Sequence, residues 1–167
     1  MSVENLIGSA TASASPVTRV DTIQANPLGF RQWGDQGGEF IYLQGIASTI
    51  VGAWVVYGQV TATPFQTQRA VHTTYNTGPI AIAMAAVLAG QFGWYQIGGV
   101  AQGAIINDSP YAFAANHYVY LTSTAGLVDD VVVATDIVYG ASSMSAGATS
   151  PMAFLLARPY VLGVQPA

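Results

Sequence analysis

The sequence predicts an all-β protein, a compact β-barrel or β-sandwich of short antiparallel strands with an extended N-terminal arm. Three observations lead there. Short apolar and aromatic runs alternate with turn residues, roughly every 8 to 12 positions from Glu39 onward, the rhythm of barrels and sandwiches. No segment carries a convincing apolar face at helical spacing. The chain is also rich in punctuation, with 18 glycines and 8 prolines. The boundary falls at residue 38, with an arm over 1–38 and a β-rich domain over 39–167.

The arm holds small residues from Gly8 to Pro16, then Asn26-Pro27-Leu28-Gly29 and Gly34-Asp35-Gln36-Gly37-Gly38. Such residues give no repeating apolar face and mark loop or extended chain. Within it Phe30 and Trp33 flank Arg31, with Arg19 upstream. Two aromatics and an arginine have the composition of an interface hot spot, which makes these four the candidate contact residues. The alternative is that the arm folds back and the rings cap the domain's own core.

Glu39–Leu43 is the first strand, stopping at Gly45, and the apolar run Ile46–Tyr57 continues the pattern around Gly52, where a glycine inside a strand marks a bulge or a close backbone approach. Thr61–Thr74 is polar, contains Pro64, and reads as a loop or an edge. Ile80–Leu88 is alanine-rich, which favours helix. Large and small side chains alternate strictly through Met84, however, and that period of two predicts a strand whose alanines face a close-packed second layer. Strands are further expected at Phe92–Ile97, Tyr118–Thr122, Val131–Val133, Ile137–Tyr139, Phe154–Ala157 and Tyr160–Leu162. Pro159 places the last of them at an edge or a bend. No internal repeat emerges.

Charge is the most unusual feature of the composition. There is no lysine, and twelve charged residues stand against eighteen aromatics. Globular domains average about a quarter charged residues. A net charge of −4 gives little self-repulsion, so the chain is expected to associate with itself or with a larger assembly. Arg19, Arg31, Arg69 and Arg158 are scattered, which argues against a nucleic-acid surface. The N-terminus lacks the pattern of a secretory signal, and the apolar stretches are shorter than the roughly 20 residues of a membrane-spanning helix. The reading is a protein with no membrane segment. Without cysteine, disulfides and thiolate metal sites are excluded.

Few residues point to chemistry. His72 and His117 are the only imidazoles, and His117 heads the alternating run Tyr118-Val119-Tyr120-Leu121, where a surface histidine is expected rather than a catalyst. Asp129, Asp130 and Asp136 form the one acidic cluster, and carboxylates of this kind can hold calcium. Gly126-Leu127-Val128-Asp129-Asp130 is equally a plain turn, with aspartates bonding to the backbone, and that reading is preferred. Gly98-Gly99 is not a phosphate loop, for no lysine follows, and there is no Gly-x-Ser-x-Gly elbow. No enzyme, metal or cofactor is expected.

Several blocks are familiar together. GQFGWYQIGGVA over 90–101, YVYLTSTAGLVDD over 118–130, DIVYGASSMSAG over 136–147, FLLARPYV over 154–161 and EFIYLQGIAST over 39–49 resemble small virion proteins of tailed bacteriophages. The likeness covers about residues 39 to 162, and the arm falls outside it. It implies a head decoration, or cement, protein. Such proteins are typically β-rich, often trimeric, and sit on the outer surface of the phage head, where they bridge subunits of the major capsid protein. The expected partners are therefore the major capsid protein and further copies of this chain, as a homotrimer, with Phe30, Arg31, Trp33 and Arg19 as candidate capsid or subunit contacts. An alternative from a different class is a receptor- or carbohydrate-binding module of a tail fibre or spike, stacking sugars on Trp54, Trp94 or the tyrosine-rich strands. A hydrolase built on Asp129, Asp130 and a histidine is a third and weaker alternative.

Overall fold

The computed structural model describes residues 16–45, 49–58, 65–72, 77–107, 112–133 and 135–163. They form no helix, and no helix long and apolar enough to cross a membrane is present among them. The strands are β1 (Val20–Asp21), β2 (Arg31–Trp33), β3 (Glu39–Gly45), β4 (Trp54–Gly58), β5 (Gln66–Arg69), β6 (Gly78–Ala83), β7 (Phe92–Ala104), β8 (Tyr118–Leu121), β9 (Val128–Asp129), β10 (Ile137–Ser143) and β11 (Met152–Val161). All belong to one sheet, and every strand pair is antiparallel except β3 with β5.

The pairings close this sheet twice. The first half of β7 pairs with β3, then β3 with β5, β5 with β4, β4 with β6, and β6 returns to β7. The second half of β7 pairs with β11, followed by β10, β8 and β9. A parallel bridge between Ile106 and Val128 brings β9 back to the exit of β7. Closure removes long unpaired edges, and the strands left at the margins are only two or three residues long.

Each ring has its own apolar filling. Ile41, Leu43, Val55, Ala81, Ala83, Tyr95 and Ile97 fill the first. Trp54, Ile80, Ile82, Phe113, Val119, Leu121, Phe154 and Leu156 fill the second. Strands β4 and β6 serve both, since Val55 and Ala81 point one way while Trp54, Val56, Ile80 and Ile82 point the other. A strand buried on both faces needs apolar side chains at every position, which is why these segments read as continuous runs. Phe154 is the hub of the second core, meeting Trp54 at 5.2 Å and 88° and Phe113 at 5.3 Å and 85°. The Trp54 indole N–H donates to the Ile105 carbonyl at 3.1 Å, so its one polar atom is satisfied inside.

Several sequence expectations are corrected here. Ile46–Tyr57 is not one strand: residues 46–48 lie outside the described ones, Val51-Gly52 is a turn, and β4 starts at Trp54. Gly52 has φ +81, and a Cβ there would stand 2.0 Å from the Gly103 carbonyl oxygen, so glycine is required by the close approach to β7. Within Thr61–Thr74, whose positions 61–64, 73 and 74 lie outside the described residues, β5 is an inner strand between β3 and β4, built of Gln, Thr and Arg. Ile80–Leu88 is a strand with the expected alternation, but only to Ala83, where the chain turns so that Val87 can reach Thr49. Val131–Val133 is not a strand, because the pairing of β9 with β8 ends at Asp129. The two last expected strands are the single β11, which is internal rather than an edge. Pro159 is accommodated by a bulge in which Arg158 takes φ 50 and the register against β10 shifts.

The arm is described from residue 16. Val17 is buried, β1 pairs with β7 through Val20 opposite Gly93, and β2 pairs with β3 through Arg31, Gln32 and Trp33. Residues 1–15 lie outside the described residues.

Candidate interaction surface

The outer face of the first ring is covered by the chain itself. Phe40, Tyr42 and Trp94 point outward from β3 and β7 and are buried beneath Val17 and Leu28. Trp94 meets Tyr42 at 5.2 Å, and Phe30 lays its edge on Trp94 at 6.2 Å. The cover is fastened by polar contacts. The Tyr42 hydroxyl donates to Asp21 Oδ2 at 2.8 Å, and Asp21 Oδ1 accepts from Arg19 Nε at 2.6 Å. Burial, and then the adjacent Asp21 carboxylate, push the Tyr42 phenol up to about 12, although the Ala25 amide that bonds to its oxygen opposes the shift.

Among the described residues, none covers the second ring in this way. On β11, Phe154 and Leu156 point into the core while Leu155 and Ala157 point out. Strand register extends this outward set across four strands. Val100 of β7 stands opposite Leu155, Leu155 opposite Ser142 of β10, and Ser142 opposite Tyr118 of β8. Val100, Leu155 and Tyr118 are 41%, 48% and 68% exposed. Toward the first ring a second row runs from Trp33 to Glu39, Gly98 and Ala157. Tyr139 and Tyr160, both exposed, stack at 5.3 Å and 20° at the β10–β11 bulge. Antiparallel sheets that face water on one side normally alternate apolar inside with polar outside. Here the outside is mostly Val, Leu, Ala and Tyr, with Gln102 and Ser142 among them.

The ion pair on this face is internally neutral. Arg158 donates through Nε and Nη2 to the two oxygens of Glu39, both at 2.9 Å. Glu39 itself is buried, and the fork geometry raises Arg158 above its ordinary value, first through the hydrogen bonds and then through the charge of Glu39. Gly98 leaves room for the pair, since a Cβ there would lie 3.0 Å from Glu39 Cβ. At the mouth of the first ring, burial raises the Tyr57 phenol, and the bonded Arg31 guanidinium opposes that shift.

The four candidate residues therefore part company. Arg19 and Phe30 belong to the cover of the first ring. Arg31 and Trp33 sit beside the open face, with Trp33 56% exposed. Phe30 packs on Trp94, as a folded-back arm would have it, whereas Trp33 stays exposed. Leu155, Val100, Tyr118, Tyr139 and Tyr160 were missed as surface residues. Alternation separates the two sides of a strand, but it does not say which apolar side is covered.

The residues considered for chemistry take structural positions. Trp54 and Trp94 are 0% and 2% exposed, so neither can stack on a sugar. Asp129 accepts the Val131 amide at 3.1 Å, the local turn expected of it, and burial raises its carboxyl above the ordinary value against the opposing Val131 hydrogen bond. Asp136 is fully buried and paired with His72 through Nδ1. Asp130 pairs with His117 Nδ1 at 3.3 Å. Ser143 lies beside this pair, but it is buried, accepting from the His117 amide at 3.0 Å and donating to the Ala114 carbonyl at 2.6 Å, so it pins the loop. Among the described residues, no three His, Asp or Glu side chains gather as a metal site.

Comparison of the chain with protein-family models, with curated proteins and with solved structures gave no match in any of the three.

Proposed function

We propose that this protein is a virion structural protein that decorates the outside of a tailed-phage head and stabilises it by bridging major capsid protein subunits, acting as a homotrimer. The observation that carries the reading is the outer face of the second ring, which no described residue covers. It presents Val100, Leu155, Ala157, Tyr139, Tyr160 and Trp33 beside Gln102 and Ser142, and the Glu39–Arg158 ion pair on it is closed on itself. An apolar face of this kind costs little to desolvate and rewards contact with another apolar surface at about 25 cal/mol per Å² buried.

The fold favours contact through this face over contact through strand edges. With the sheet closed twice and its marginal strands two or three residues long, strand addition has little backbone to work with. Contacts between copies that are related by a 120° rotation close into a three-membered ring and stop. A trimer engaging several capsid subunits then turns each weak contact after the first into an intramolecular one, which slows dissociation without needing any single strong site. The resemblance of segments between 39 and 162 to virion proteins supports the same reading.

The test is cryo-electron microscopy of phage heads incubated with the purified protein, alongside light scattering of the protein alone. The expected result is symmetric density over the outer capsid lattice and a trimer mass in solution. Heads that carry no copies, or a monodisperse monomer that stays off them, overturn the proposal.

A further inference from the structure

The row Val100, Leu155, Ser142, Tyr118 ends at a cleft, and the cleft has a chemistry of its own. Strand β8 begins at Tyr118, but its partner β9 pairs only with Leu121 and Tyr120 and stops at Asp129. On the other side β10 shifts register between Val138 and Ser142, opposite Val119 and Tyr118. The start of β8 is thereby left with an opening of about 240 Å³, lined by Asn116, His117, Tyr118, Tyr120, Asp130 and Val132. That is below the roughly 300 Å³ at which pockets for drug-sized ligands begin, and it suits a single ring.

The walls are held in place before any ligand arrives. Asn116 adopts φ 59, a turn conformation asparagine tolerates, and its amide donates to the Ser143 carbonyl at 2.9 Å. Asp130 Oδ2 accepts from the Ala114 amide at 3.0 Å and faces His117 Nδ1 at 3.3 Å. Both contacts use one carboxylate oxygen, Oδ2, and fix Asp130 and His117 side by side in the lining. Beside them the Tyr118 ring is 68% exposed and Val132 is 74% exposed.

We infer that this cleft binds one neutral pyranose ring, such as the terminal sugar of an uncharged glycan. A pyranose has an apolar C–H face and a rim of hydroxyls, each of which both donates and accepts. Tyr118 supplies the flat surface for the face. Asp130 accepts from a hydroxyl, His117 serves a neighbouring one, and the Asn116 amide offers a donor and an acceptor together. The Asp130 carboxylate, with no lysine or arginine in the lining, selects against phosphate, sulfate or carboxylate groups on the sugar. This activity goes beyond the bridging role and uses the margin of the open face rather than its centre.

The experiment is a glycan array carrying uncharged glycans with terminal hexoses and their sialylated and sulfated counterparts. It is followed by NMR titration with the methyl hexopyranosides that score on it. Wild-type protein is expected to bind a subset of the uncharged set, with affinity falling about tenfold or more in Tyr118→Ala, which loses the platform. Asp130→Asn should also weaken binding, Tyr118→Phe should keep it, and Tyr160→Ala, on the open face but outside the cleft, should leave it unchanged. Far-UV circular dichroism of each variant establishes that the fold is intact. A flat array, a preference for the charged glycans, or equal binding by Tyr118→Ala overturns the assignment, and none of these bears on whether the protein binds phage heads.

Discussion

Strand β7 runs through both rings, and its two halves are finished differently. Around Trp94 the outward side chains lie under the protein's own segment 17–30, with Tyr42, Asp21 and Arg19 fastening it. Around Val100 the outward side chains lie bare beside Leu155 and Ala157. Both outward faces carry apolar side chains. What differs is that segment 17–30 covers the first, while no described residue covers the second, which leaves that face available for contact.

The largest effect should come from opening the covered side. Trp94→Ala removes a fully packed indole from between Phe30 and Tyr42 and should cost about 3–5 kcal/mol in chemical denaturation. Leu155→Ala on the open side should change the stability of the isolated subunit by no more than about 0.5 kcal/mol. Similar costs at the two sites would break the comparison. Next comes Gly99→Ala, at the junction of the halves. Gly99 has φ +79, and a Cβ would stand 2.7 Å from the Gly37 carbonyl oxygen, so a loss of about 1–3 kcal/mol in the same assay is expected.

A smaller effect belongs to Tyr42 and depends on pH. Its phenol titrates near 10 in the unfolded chain and about 12 in the folded one. Between those values the folded state holds the proton more tightly, so stability is intact below pH 10 and falls as pH rises toward 12. Denaturation midpoints followed across that window should decline, and Tyr42→Phe should flatten the decline while costing about 1 kcal/mol at neutral pH for the lost Asp21 hydrogen bond. The smallest effect on folding is that of Leu155→Arg, which should leave the thermal midpoint near wild type when both are measured dilute enough to be monomeric. Its consequence should appear in mass, because a charge on the open face disfavours contact between copies, and light scattering should register a shift from the proposed trimer to monomer.

The sequence carried the fold class through the period of two and the turn spacing. It also carried the alanine-facing layer of β6, because large and small residues alternate there. It misplaced Val131–Val133, where β-branched composition is real but pairing has already ended at Asp129. It made Thr61–Thr74 a loop or an edge because the segment is polar, yet β5 is internal, with Gln66 and Thr67 bonded to Gln44. Phe30 and Trp33 looked alike as exposed aromatics, and only the position of Trp94 distinguishes them. The cleft was not legible at all. It arises where β8 outlasts β9 and β10 shifts register, and neither event leaves a local mark on the chain.

One more consequence follows from the partition formed by β4 and β6. Backbone amides in that wall are screened by packed side chains on both flanks, so they should be the last in the molecule to trade hydrogen for deuterium. A wall common to two chambers also leaves no seam along which they could bend apart. Load taken up at one end is passed to the other as it would be through the bulkhead of a box girder.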